Sequence, residues 1–249
     1  MAPHPSAAPI VLLALLCAFF AVSQAVNAAP TGASIGNLST EGSPNPTPDN
    51  RSDPKGTITT LIIDAVQQDQ FWKAYVGNIT GRLSLDNANG YTIYDWALSS
   101  TSKTGRVYVS RYLAPAFDNV TCANAGNVSA EHEYFNMTVN QSDNIANTFN
   151  YTSHDAFTVG AQPFLADTCN STATYINDSR QTMDGSQDFQ EVLLQDSANN
   201  IIFMTILSTN VGYDNETYDF QLIVPESYLS GGALRPAYTT YYFFTELSG

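Results

Sequence analysis

The chain reads as an all-β protein, an antiparallel β-sandwich with a partly closed β-barrel as the alternative. Three observations lead there. Nine runs rich in Val, Ile, Thr, Tyr and Phe show strand-like alternation. Two connections, DNANG at 86–90 and DSANN at 196–200, are built from turn residues. From about residue 56 onward the composition is that of one globular domain of roughly 190 residues.

In chain order the expected strands are 57–63 (TITTLII), 81–85, 91–96, 106–112, 133–139, 190–194, 201–207, 218–224 and 238–247. DNANG joins 81–85 to 91–96, and DSANN joins 190–194 to 201–207, each as a hairpin. Both faces of 201–207 (IIFMTIL) are largely apolar, which places that strand in the middle of a sheet. In 218–224, Tyr218, Phe220, Leu222 and Val224 alternate with Asp219 and Gln221, the pattern of a strand with one wet face. Tyr241, Tyr242, Phe243 and Phe244 put rings on both faces of the last strand, so it is either central and buried or an edge awaiting a partner. In 133–139, Phe135, Met137 and Val139 share one face while Asn136 and Thr138, with Asn140 beyond them, share the other. Short helical turns are expected near 65–71 and 142–148.

Ahead of this domain, residues 10–22 (IVLLALLCAFFAV) suit the apolar core of a secretory signal, and Val26-Asn27-Ala28 offers a cleavage site that leaves a mature chain starting near Ala29. The rival reading keeps 9–26 as an uncleaved anchor, the one case in which a membrane is a partner. Leu16, not a small residue, precedes Cys17, which argues against a lipoprotein signal. Residues 29–55 are rich in Pro, Gly, Ser, Thr and Asn and hold few large apolar residues, so they read as a flexible arm. The expected organisation is a signal peptide over 1–28, the arm over 29–55 and one sandwich domain over 56–249.

Eleven asparagines stand in Asn-x-Ser/Thr triplets without proline: Asn37, Asn50, Asn78, Asn119, Asn127, Asn136, Asn140, Asn150, Asn170, Asn177 and Asn215. Chance would place about four in a chain of this composition, so the excess points to N-linked glycans and an exported protein. On the expected strand 133–139, acceptors Asn136 and Asn140 would stand about 13 Å apart on the solvent face. The middle of the chain is thus the shielded side. Residues 181–247 carry only Asn215, which leaves them for contacts.

Two cysteines follow the signal, Cys122 and Cys169, and in an oxidising compartment their pairing is the default, with free thiols or a metal pair as the alternatives. Nine Lys+Arg against 23 Asp+Glu give a net charge of −14, which argues against nucleic acid as a partner. Such acidity suits a soluble exterior in a salty or divalent-rich medium.

Chemistry is sparse. There is no Gly-x-Ser-x-Gly elbow, and His132 and His154 are the mature chain's histidines, both expected on the surface. Strand parity sets Glu131 and Glu133 opposite His132, against a local metal centre. Asp184, Asp188 and Glu191 form an acidic cluster that reads as a solvated face, with a loop Ca2+ as the weaker alternative. No other cofactor is indicated. Trp72, Trp96 and the tyrosine runs suggest either core aromatics or a platform on which sugar rings stack.

Residues 71–85 (FWKAYVGNITGRLSL) with 91–96 (YTIYDW), 218–226 (YDFQLIVPE) and 239–247 (TTYYFFTEL) resemble a group of secreted archaeal surface proteins of unassigned function. That resemblance covers about a fifth of the chain and implies no catalytic residues. No sequon has Asp or Glu two residues before its Asn, which favours archaeal or eukaryotic glycosylation over the best-known bacterial systems. Together the expectation is a non-enzymatic, N-glycosylated cell-surface protein with a structural, adhesive or filament-forming role. Its partners would be other envelope proteins or copies of itself. A secreted carbohydrate- or ligand-binding module and a polysaccharide-active enzyme are the alternatives.

Overall fold

In chain order the computed structural model holds β1 (Thr31–Gly32), β2 (Trp72–Gly77), β3 (Leu83–Asp86), β4 (Thr92–Trp96), β5 (Thr104–Ser110), β6 (Thr121–Cys122), helices α1 (Ala125–Phe135) and α2 (Ile145–Thr148), then β7 (Phe157–Val159), β8 (Gln162–Phe164) and β9 (Ser171–Ala173). The last third adds β10 (Gln190–Gln195), β11 (Ile201–Ile206), β12 (Asn210–Val211), β13 (Thr217–Tyr218), β14 (Phe220–Pro225) and β15 (Tyr242–Ser248). The structure describes residues 29–42, 47–63, 68–96, 104–227 and 238–248. The signal-like segment and the start of the helical turn expected at 65–71 lie outside them.

A seven-stranded antiparallel sheet organises the molecule, in the order β1-β15-β5-β11-β10-β6, with β9 on the same edge of β10 as β6. Strand alternation sends Val107, Val109, Leu193, Ile201 and Phe203 to one face, where they pack with Leu222 and Val224 of β14, Val128 and Phe135 of α1, and Ile145 and Phe149 around α2. Tyr108, Val192, Leu194, Ile202, Met204 and Phe244 go to the other face, under Phe157, Val159 and Phe164 of the β7–β8 hairpin. The sheet is therefore covered on both sides: the β2–β14 pair and the helices lie on one, and the hairpin on the other. This is the layered, all-β arrangement of a sandwich, without a closed barrel among the described residues. β11 lies between β5 and β10 and is buried on both faces, as its apolar run requires.

Both expected hairpins form. In DNANG, Asn87 Oδ1 accepts the N–H of Asn89 and Tyr91, and Gly90 takes φ 79°. In DSANN, Asp196 Oδ1 accepts the N–H of Ala198 and Asn200 while Asn199 takes φ 67°. These are asparagine and aspartate side chains closing turns on their own backbone.

The disulfide between Cys122 and Cys169 forms, with Cα atoms 5.1 Å apart. Its position explains its use. β6 and β9 are two and three residues long and follow each other along one edge of β10, so the bond joins two short strands that ladder hydrogen bonds alone hold weakly.

Four expectations are corrected. Residues 133–139 are not a strand: Val128, His132 and Phe135 line the buried stripe of α1, a helical spacing that the shorter period-2 pattern hid. Asn124 caps that helix by accepting the Asn127 N–H, and Asn136 ends it in the left-handed region at φ 58°, which asparagine tolerates. Residues 57–63 are strand-like in sequence but form no strand. The wet face expected in 218–224 is buried. Gln221 there accepts the Tyr213 N–H and donates to Thr174 Oγ1 and the Tyr175 carbonyl, and Asp219 accepts from Ile79 N–H and the Thr209 hydroxyl. Finally, the arm is held at its start, because Thr31 and Gly32 pair with Thr245 and Phe244, and Ala33 N–H bonds the Phe243 carbonyl at 2.9 Å.

Candidate interaction surfaces

The sequon asparagines lie on strand ends, caps and turns. Asn37 and Asn50 are on the arm, Asn78 follows β2, Asn119 ends a 3₁₀ turn, Asn170 precedes β9, and Asn136, Asn177 and Asn215 occupy turns at φ 58°, 45° and 72°. These, with Asn140 and Asn150, are exposed. Asn136 and Asn140 do not share a strand face as expected, since one caps α1 and the other sits in the turn after it. Asn127 differs. In the first turn of α1 it is half-buried, and its Nδ2 donates to Gln195 Oε1 at 2.9 Å and Asn199 Oδ1 at 3.0 Å. An N-linked sugar replaces one of those two hydrogens.

The groups with latent chemistry are engaged by the fold. His154 is buried, contrary to the surface position expected for it: its Nδ1 faces the Asp155 carbonyl at 2.7 Å and its Nε2 accepts the N–H of Thr168 and Cys169. These contacts order the chain entering the disulfide. His132 is likewise buried on α1; its Nε2 accepts the Ala146 N–H, and burial lowers its pKa. The acidic trio separates. Asp184 is exposed and closes a turn on Ser186, Asp188 takes the Ser208 hydroxyl and Asn210 amide, and Glu191 points into the core. No group of three metal-ligating side chains converges among the described residues.

Glu191 is fully buried on β10, where burial pushes its carboxyl well above the ordinary 4.5. Oε2 accepts the Ile223 N–H from β14 at 2.9 Å, while Oε1 has no partner. Thr205, its cross-strand neighbour on β11, also leaves Oγ1 without one.

Several cations are used internally. Arg111 binds Glu131 through two hydrogen bonds, at 2.7 and 3.0 Å, and lies 3.9 Å from the centre of the Tyr134 ring. Lys73 reaches Glu226 and lies over Tyr241. Glu246 gathers Arg106, the Tyr108 hydroxyl and the Gly160 N–H. Arg111–Glu131, Lys73–Tyr241 and Gly160–Glu246 tie one layer to another, whereas Arg106 and Tyr108 with Glu246, and Lys73 with Glu226, link neighbouring strands of one sheet.

What remains for interaction is apolar surface free of sequons. In the 57–63 segment, Ile58 is 100 %, Ile62 98 %, Ile63 84 % and Leu61 55 % exposed. Among the described residues β3 and β4 pair only with each other, and their register opposes Leu83 to Trp96 and Leu85 to Tyr94, so those four side chains share one face. The rings of Tyr94 and Trp96 meet at 5.0 Å and 62°, edge to face and not coplanar. Trp72 is no platform residue: its Nε1 donates to the Asp143 carbonyl and its ring lies 6.3 Å from that of Phe149. The third surface is β2, whose ladder among the described residues contains one partner, β14. No sequence pattern announced it, because an edge is a property of the assembled sheet.

Among the described residues no helix is long and apolar enough to cross a membrane. No protein-family model matches the chain, and no curated protein or solved structure matches it either.

Proposed function

We propose that the chain is a non-enzymatic, N-glycosylated protein of the extracellular surface that assembles with copies of itself or with other envelope proteins. The observation that carries this reading is the division of its surface. Ten of the eleven sequon asparagines are exposed, whereas 57–63, β2, the β3–β4 hairpin and β15 carry no sequon. Sugars would keep most of the exterior from sticking, and contacts would fall to the undecorated apolar parts. The disulfide supports an oxidising destination. Export would follow the signal at 1–28, with Ala29 as first mature residue, and the resemblance to secreted archaeal surface proteins points the same way.

A secreted carbohydrate-binding module is the second reading, favoured by the exposed Tyr94 and Trp96. Their edge-to-face rings offer a sugar no flat platform, so it ranks below the first. Intact glycopeptide mass mapping of native cell-envelope fractions tests the proposal. Multiply glycosylated peptides and a mature N-terminus near Ala29 are expected, and an unglycosylated, intracellular chain overturns it.

A further inference from the structure

We infer that residues 57–63 of one copy add as a third strand to the β2–β14 pair of a second copy, along the edge of β2 that pairs with no strand among the described residues. This rests on the self-assembly reading above and names its contact.

The donor is set by its own surface. TITTLII holds seven uncharged residues of high β propensity, yet it forms no ladder, and Ile58 and Ile62, which fall on one face of an extended chain, are almost fully exposed. An uncharged, β-prone run left in water is what strand addition covers.

The acceptor is set by the ladder. Glu226 N–H bonds the Phe71 carbonyl at 2.7 Å, and antiparallel pairing alternates, so Lys73, Tyr75 and Gly77 turn their backbone groups to β14. Trp72, Ala74 and Val76 therefore turn theirs away. Below this edge runs β15, whose residues on the same side of the large sheet, Phe243, Thr245 and Leu247, are each only half-buried. Tyr75 packs edge-on against Phe243 at 5.0 Å, which fixes β2 above that strand. The two-stranded β2–β14 pair thus covers only part of the seven-stranded sheet beneath it. A strand beside β2 would cover more of the half-buried Phe243 and Thr245, next to Leu247, which already meets the chain at Gly81.

The partner is a second copy on grounds of connectivity. Eight residues separate 63 from 72, longer than the usual two to five of a hairpin, and within its own chain the segment forms no ladder with β2. Toward the N-terminus, 23 residues separate Thr57 from Ala33, where the arm is held on β15. That stretch spans about 27 Å as a coil and about 80 Å extended, enough to reach a neighbour. Sugars leave the edge open: Asn78 follows β2, but its Oδ1 accepts the Asp219 N–H, so its side chain is turned toward the β14 side.

The test uses the full chain secreted from a glycosylating host. Copies carrying Thr59→Cys or Leu61→Cys are mixed with copies carrying Ala74→Cys, and a mixed disulfide dimer on a non-reducing gel is expected. Ile58→Asp and Ile62→Asp should each weaken association by roughly tenfold or more while leaving the unfolding transition unchanged, because neither side chain packs in the fold. A chain bearing both cysteines that cross-links only within itself overturns the inference. So does assembly that survives both aspartates without cross-linking, although self-assembly then stands through another surface. A chain that neither assembles nor carries sugar overturns both this contact and the reading it rests on.

Discussion

Replacing Glu191 by glutamine should make the protein more stable at neutral pH than the natural chain. The carboxyl is fully buried and its pKa is raised well above 4.5 by burial, so the folded state holds its proton at pH values where the unfolded chain has released it. The sign follows. With more protons bound in the native state, stability is greatest below the unfolded value and falls as pH rises toward the folded one. Over that interval one such group removes about 1.4 kcal/mol per pH unit, and above it the loss levels off. Glutamine keeps an oxygen for the Ile223 N–H and does not titrate. Urea unfolding from pH 4 to 8, followed by tryptophan fluorescence, should show Glu191→Gln matching the natural protein at the acid end and pulling ahead as pH rises. Glu191→Leu supplies the contrast, since it orphans the Ile223 N–H and should cost about 1–3 kcal/mol relative to glutamine at every pH. Parallel profiles for Glu191→Gln and the natural chain across this range would refute the buried-acid argument.

Two further outcomes follow from the same geometry. Cys122→Ser with Cys169→Ser opens a loop with a sequence separation of 47 residues, and it should lower unfolding free energy by about 4 kcal/mol in urea titrations. Asn127 should be the least occupied sequon in glycopeptide mapping, because a sugar on Nδ2 displaces a hydrogen bond to Gln195 or Asn199. Occupancy equal to that of exposed Asn150 would contradict this.

Much of the fold was legible where local chemistry decides it. The asparagines and aspartates of DNANG and DSANN close their turns unaided, and IIFMTIL could only be a strand covered on both faces. Residues 133–139 misled because seven residues of alternation coincide with the end of a helix whose periodicity lies upstream, in Val128 and His132. Glu191 was placed in a solvated acidic face by its neighbours in sequence, yet the strand alternation that exposes or buries it depends on β14 arriving from thirty residues away. Gln221 and Asp219 were misassigned for a related reason: loops around Thr174 and Thr209 cover what would otherwise be a wet face. The pairing of Thr31–Gly32 with β15 is too short to leave a pattern. Residues 57–63 misled for another reason: Thr and Ile favour strands, but β propensity yields a strand only where a neighbour completes the ladder, and in this chain 57–63 joins none.

Hydrogen–deuterium exchange on the native glycoprotein, compared between assembled and dissociated states, tests the central claim most directly. Amides across 57–63 and the outward-facing Trp72, Ala74 and Val76 should become protected together on assembly, while β11 stays protected throughout. Rapid exchange of 57–63 in both states, with β2 unchanged, would contradict the account.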